Sequence, residues 1–210
     1  MFVKNFMIPK QDCVYVDQSE TLGNVLEKMY ANNVDGVPVV DGDLYVGIVT
    51  KYLIYKNFLH ANMNKEDYMT QMKAGDIASK QEGYLNGEEL FEDTLIALKH
   101  YPILAVVNDA KKFVGIVTRY DVLEQFQSAF GMKRKGVRIA FTSIESEGRI
   151  ATFSQIADKY DEDIISLVTF DEADHLVRRI VMKVEEKENT KQFLQDLEHA
   201  GFRIIDIRTC

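Results

Sequence analysis

The sequence is poor in the residues that build stapled, metal-bound or membrane-spanning folds. It has two cysteines, three prolines, four histidines and no tryptophan in 210 residues. Cys13 and Cys210 stand near opposite ends, with no Cys-x-x-Cys spacing. That leaves no disulfide framework, and a reducing cytoplasm is the expected setting. His60, His100, His175 and His199 are scattered without metal-ligand spacing, so no metal site is expected. No apolar run approaches the roughly 18–20 residues of a membrane span. Met1-Phe2-Val3-Lys4 opens no cleavable leader, and no membrane partner is expected. Lys and Arg (25) are outnumbered by Asp and Glu (33), giving a formal charge of −8. A net acidic chain argues against nonspecific nucleic-acid binding. Neither a nucleophile–base pair nor a carboxylate pair can be assembled from the sequence, which argues against an enzyme.

What is present is a phrase stated twice. Val39-Val40-Asp41-Gly42 leads into Gly47-Ile48-Val49-Thr50, and Val106-Val107-Asn108-Asp109 leads into Gly115-Ile116-Val117-Thr118. The two Gly-Ile-Val-Thr tetrapeptides are identical and lie 68 residues apart. Such a period means two copies of one supersecondary unit, each too small to bury its apolar face alone. Only the second copy goes on to an acid, in Thr118-Arg119-Tyr120-Asp121. The first reads Thr50-Lys51-Tyr52-Leu53.

In the first copy Cys13–Val16 reads as a strand, and Leu22, Val25, Leu26 and Met29 recur at helical spacing. Val37–Val40 and Tyr45–Val49 read as strands about the turn at Asp41–Asp43, and Thr50 caps a second helix. The order is β-α-β-β-α. The second copy repeats it through Gly83–Leu85, Leu90–Leu98, Ile103–Val107, Phe113–Val117 and Val122–Phe130. Between them, Ala61–Lys73 reads as a helical connector in which Met63, Met69 and Met72 suit packing. Gly131 and Gly136 bracket a basic run, Lys133-Arg134-Lys135, read as a solvated linker. The remaining elements, Val137–Ile144, Ile150–Tyr160, Ile164–Phe170, Leu176–Val184, Thr190–Ala200 and Arg203–Arg208, run β-α-β-β-α-β, a ferredoxin-like order. The expected class is therefore α+β. Its parts are a first repeat over 1–60, a connector over 61–73, a second repeat over 74–130, a linker over 131–136 and a last domain over 137–210. Asp171-Glu172-Ala173-Asp174-His175 reads as a hairpin turn, since no Gly-x4-Gly-Lys-Ser/Thr loop accompanies it.

Two such copies, each with a Val-Pro-Val-Val-Asp-like strand and a Gly-Ile-Val-Thr turn, resemble a tandem CBS pair, also called a Bateman module. The last segment resembles an ACT domain. Together they resemble CBS-CBS-ACT proteins of the acetoin-utilisation (AcuB) type and bacterial CBS proteins that bind cyclic di-AMP. The resemblance implies a non-enzymatic regulator with an adenosine-containing ligand between the copies. AMP, ATP, S-adenosylmethionine and cyclic di-AMP are equally compatible with the motif. It also implies that Asp121 accepts from ribose hydroxyls and that Thr118 donates to phosphate, on the turn that includes Ile116 and Val117. Arg119 adds a phosphate-pairing charge. Cys13, Val14, Val34, Asp35 and Gly36 would line the adenine pocket. Leu53 stands where the first copy would need its Asp, so one good site per chain is expected. Taken alone, Thr118-x-x-Asp121 is also a helix-capping pattern. A homodimer and a protein target are implied, with no cofactor. The second reading is an amino-acid-binding ACT regulator whose CBS pair is a scaffold. Its ligand loop would be Glu147, Gly148, Arg149 and Ile150, where Gly148 lets the backbone approach a ligand.

Overall fold

The computed structural model describes residues 2–79, 83–144, 146–171 and 177–210. Two compact units divide the chain, Met1–Leu123 and Glu124–Cys210.

The first unit opens with β1 (Ile8–Pro9), a 3-10 turn at Lys10–Asp12 and β2 (Val16–Asp17). The strand expected over Cys13–Val16 is thus confined to its end, because the 3-10 turn closes on Cys13 through the Cys13 N–H and Lys10 carbonyl. Helix α1 (Leu22–Ala31) follows, with the Thr21 hydroxyl accepting from the Asn24 amide. Its Leu22, Val25, Leu26 and Met29 are buried. Each such side chain taken from water stabilises the fold by about 1.5–3 kcal/mol. Strands β3 (Gly36–Asp41) and β4 (Leu44–Thr50) form the expected hairpin, and β2 adds in parallel to β3. Helix α2 (Lys51–His60) starts on Thr50, whose hydroxyl accepts from the Leu53 amide. The connector holds α3 (Lys65–Gln71), and α4 (Ala74–Ile77) opens the stretch assigned to the second repeat. Tyr68 of α3 is buried in the first repeat's core and donates its hydroxyl to the Ile54 carbonyl. Met63, Met69 and Met72 pack against the same core.

The second repeat runs β5 (Tyr84–Leu85), α5 (Phe91–Leu98), β6 (Ile103–Val107), β7 (Phe113–Thr118) and α6 (Arg119–Ala129). Every residue of β6 is buried. The two repeats exchange their leading segments. Ile8 and Pro9, at the head of the first repeat, pair with Ile116 and Gly115 of β7. Ser79, near the head of the second, bridges Ile48 of β4 through reciprocal backbone bonds of 2.7 and 3.0 Å. This exchange explains the repeated glycine. A Cβ on Gly115 would stand 2.4 Å from the Ile8 carbonyl oxygen, and one on Gly47 2.7 Å from that of Ser79. The two hairpin turns also bond each other, Tyr45 N–H to Lys111 O and Phe113 N–H to Asp43 O.

The second unit carries β8 (Val137–Ile144), α7 (Arg149–Lys159), β9 (Ile164–Asp171), β10 (Val177–Val184), α8 (Thr190–His199) and β11 (Arg203–Thr209). Its sheet has the order β11-β8-β10-β9, antiparallel throughout, which is the ferredoxin-like arrangement. Phe153 and Ala157 of α7 and Phe193 and Leu197 of α8 bury one face against Ile139, Phe141 and Met182. Gly201 ends α8 in the left-handed region at φ +85°. Lys133 pairs with Glu124, and Arg134 pairs with Glu185 and Asp163, all on the surface. Of the Asp171–His175 hairpin, Glu172 to His175 lie outside the described residues.

Candidate functional site

The two repeats present the same device with one difference. In each, a strand ends in threonine, and the threonine hydroxyl accepts the amide three residues on, opening a helix. Leu53 N–H to Thr50 Oγ1 is 3.1 Å, and Asp121 N–H to Thr118 Oγ1 is 3.1 Å. Only the second repeat closes the reciprocal half. Asp121 Oδ2 accepts from the Thr118 amide at 3.0 Å and from its hydroxyl at 2.5 Å. The capping pattern is therefore formed. It occupies one carboxylate oxygen and leaves Oδ1 without a hydrogen bond among the described residues. Asp121 is half-buried at the start of an 11-residue helix, whose first N–H groups and dipole favour an anion.

Cys13 is brought to this turn. It packs with Ile116, and its thiol donates to the carbonyls of Ile8 and Pro9 at 3.3 and 3.2 Å. Burial pushes the Cys13 thiol up to about 11, and the nearby Asp12 and Asp121 charges act in the same direction. Ile116 is nearly buried, and Val117 is fully so. Arg119 is committed elsewhere: its guanidinium donates to the carbonyls of Leu98 at 3.1 Å and Tyr101 at 3.2 Å. Val14 and Val34 pack on the first repeat's core. Gly36 is buried, and a Cβ there would meet Thr50 at 3.1 Å and Pro102 at 3.3 Å. Asp35 is exposed and pairs with Lys51 at 3.1 Å.

Asp35 and Lys51 belong instead to a cavity of about 490 Å³ on the Leu53 side, lined also by Thr50, Lys56, His100 and Tyr101. Sequence reasoning did not place His100, Tyr101 and Pro102 at a site. The equivalence appears in the hydrogen bonds: the Lys51 amide bonds the Asp35 carbonyl just as the Arg119 amide bonds that of Pro102. The equivalents of Val34 and Asp35 are thus Tyr101 and Pro102.

In the second unit, Gly148 sits at the N-cap of α7 with φ +81° and open space where a Cβ would go. Glu147 and Ile150 are exposed. Arg149 donates to the Ser143 hydroxyl at 2.8 Å and the Ala200 carbonyl at 2.9 Å, and lies over the Phe202 ring at 4.0 Å. A cavity of about 350 Å³ is lined by Ser143, Gly148, Arg149, Ile150, Phe153 and Thr169, among others. Among the described residues no three His, Cys, Asp or Glu side chains gather as metal ligands, and no helix is long and apolar enough to cross a membrane.

The family model described as "CBS domain" matches residues 3–59 and 74–128, just over half of the chain. The chain belongs to the CBS-domain family. The two matched stretches are the two repeats, so the strand exchange and the paired threonine turns are the anatomy of a CBS pair. A chloroplastic CBS domain-containing protein of Arabidopsis thaliana, CBSX1, is 28% identical over 163 residues, covering 66% of this chain and 68% of that one. The structure of CBSX2 in complex with AMP, a protein also from Arabidopsis thaliana, is similar at 27% identity and a TM-score of 0.51, over 63% of this chain and 98% of that one. CbpB in complex with c-di-AMP is similar in fold, at 21% identity and a TM-score of 0.53, over 60% of this chain and 85% of that one.

Proposed function

We propose that this CBS pair is a non-enzymatic sensor that binds one adenine nucleotide per chain at the Thr118–Asp121 turn. The observation that carries the reading is the carboxylate of Asp121. It is held by Thr118 through one oxygen, the other is left for a donor, and it stands at a helix N-terminus in only one of two otherwise matching repeats. A carboxylate so placed accepts ribose hydroxyls, and the dipole of α6 favours a phosphate beside it, although the Arg119 and Asp121 amides already bond the Pro102 carbonyl and the Thr118 hydroxyl. The Leu53 turn offers the same helix start and two lysines but no carboxylate acceptor at the equivalent position. AMP is the first choice of ligand, because the 27% identical CBSX2 was solved with it. ATP offers the same ribose hydroxyls and phosphate, cyclic di-AMP a 2′-hydroxyl and phosphate, and S-adenosylmethionine the ribose hydroxyls alone. Binding biases one arrangement of the paired repeats and passes it to a protein target, by no more than the ligand's differential affinity for the two states. The exposed apolar residues Tyr52 and Leu59 of α2, and Tyr120 and Leu123 of α6, support a homodimer. A cytoplasmic setting agrees with the free, unpaired thiols.

A second reading is favoured by the cavity at the Gly148 loop. Arg149 lines it, and Nη2 of Arg149 is buried without a hydrogen-bond partner. In this reading the second unit is an ACT domain that takes an amino acid there. Isothermal titration of AMP, ATP, S-adenosylmethionine, cyclic di-AMP and a set of amino acids separates the two. Saturable nucleotide binding that is lost in Asp121→Ala supports the sensor. Amino-acid binding that survives Asp121→Ala, with no nucleotide binding, replaces it with the second reading.

A further inference from the structure

The outer face of the second unit's sheet, opposite α7 and α8, carries a row of cations that the fold itself does not explain. By register, Ser166 of β9 stands opposite Lys183 of β10, Lys183 opposite Arg138 of β8, and Arg138 opposite Arg208 of β11. Three cations therefore stand side by side on adjacent strands. Like charges directly opposite in a sheet are destabilising. One acid answers them within the row's reach: Asp206 pairs with Arg138 at 3.1 Å and with Arg208 at 3.1 Å. Lys183 has no carboxylate partner among the described residues. Its side chain is buried, the residue being 5% exposed, and its ammonium donates to one acceptor, the Gly131 carbonyl at 3.2 Å. An ammonium has three donors, and burying it with one satisfied is costly.

Lys183 also borders open space. Lys183 lines a cavity of about 340 Å³ together with Phe130, Met132, Arg138, Ser166 and Val181. That volume lies at the small end of the range for small-molecule sites. The lining mixes polar and cationic groups, Lys183, Arg138 and Ser166, with apolar ones, Phe130, Met132 and Val181. Arg138 also borders an adjoining cavity that contains Arg179 and Arg208. We propose that this cavity is a binding site for a small phosphomonoester with an apolar body, the phosphate on Lys183, Arg138 and Ser166. A dianion matches the surplus of positive charge better than a monocarboxylate, and the hydroxyl of Ser166 supplies a neutral donor. The site is separate from the Thr118–Asp121 turn and stands whether or not that turn binds a nucleotide.

The test is isothermal titration of the full chain with phenyl phosphate as probe, alongside phenol, inorganic phosphate and phenylacetate. The expected result is saturable phenyl phosphate binding, weaker binding of inorganic phosphate and phenylacetate, and none of phenol. Lys183→Met keeps the length and apolar stem and should weaken phenyl phosphate binding by about tenfold or more, the loss of a charge-assisted bond. Asp121→Ala should leave it unchanged. Ser166→Ala and Arg138→Gln read the same cavity without removing the buried ammonium, and each should weaken binding about threefold or more. Phenyl phosphate binding that is absent, unchanged in all three cavity variants, or lost in Asp121→Ala instead overturns the assignment.

Discussion

Gly115→Ala isolates the strand exchange between the repeats. Gly115 is buried in β7 and has no positive φ, so alanine is conformationally acceptable there. On backbone entropy alone the change would stabilise by about 0.4–1 kcal/mol. The structure reverses that sign. The new Cβ would meet the Ile8 carbonyl oxygen at 2.4 Å, its carbon at 3.3 Å and the Met7 sulfur at 3.3 Å. The nearest of these atoms is backbone, so a side-chain rotation cannot relieve the clash. Relief requires moving β1 off β7 and weakening the Ile8–Ile116 pairing. Overpacking costs about 1–3 kcal/mol, and each weakened backbone bond adds about 1 kcal/mol. The expected net loss is about 2–4 kcal/mol. For a chain of this size, thermal unfolding by circular dichroism should fall by roughly 5–15 °C. Gly47→Ala should behave alike, with Ser79 as the displaced segment. Gly42→Ala is the control: nothing lies within 4 Å, and its φ of +60° limits the loss to about 1–2 kcal/mol. A Gly115→Ala protein that melts at or above the wild type would refute the account of the repeated glycine.

Two further outcomes follow from the titrating groups. Because burial holds Cys13 up to about 11, about one thiol in a thousand at that position is ionised at pH 8. Iodoacetamide at pH 8 should label the exposed Cys210 quickly and Cys13 far more slowly, and equal labelling by mass spectrometry would contradict the placement of Cys13. Glu162 is raised by burial, more than nearby Lys187 lowers it, and both of its oxygens lack a hydrogen-bond partner. A raised carboxyl lends its stability below its unfolded value and loses it as pH climbs through the folded one. Glu162→Gln should therefore raise the melting temperature more at pH 7 than at pH 4, and an equal gain at both would remove Glu162 as the cause.

Much of the fold is legible because its signals are local. The apolar spacing of Leu22, Val25, Leu26 and Met29 placed α1, the Asp41–Asp43 turn placed the first hairpin, and Thr50 and Thr118 marked two helix starts. The exchange of Ile8–Pro9 and Ser79 was not legible. It rests on close backbone approach across the repeats, and its trace in the sequence is two glycines whose reason appears only when the opposing carbonyls are in place. The site was legible in type rather than in detail. Thr118 and Asp121 meet as the capping pattern predicts, but side-chain direction is a tertiary matter. Arg119 turns to carbonyls at the end of α5, and Asp35 faces the Leu53 cavity. The cation row on the second unit's sheet could not be seen at all, because the register that aligns Lys183, Arg138 and Arg208 is set by three strands distant in sequence.

The most direct measurement is a titration of AMP into isotopically labelled protein, followed by the backbone amide resonances of both threonine turns. The account predicts saturating shifts at Gly115–Val122 and at Cys13, one AMP per chain, and a loss of affinity of about 10- to 100-fold in Asp121→Ala, the worth of a charge-assisted bond. Shifts centred on Thr50–Lys56 and His100–Pro102, with Asp121→Ala binding as well as the wild type, would contradict it.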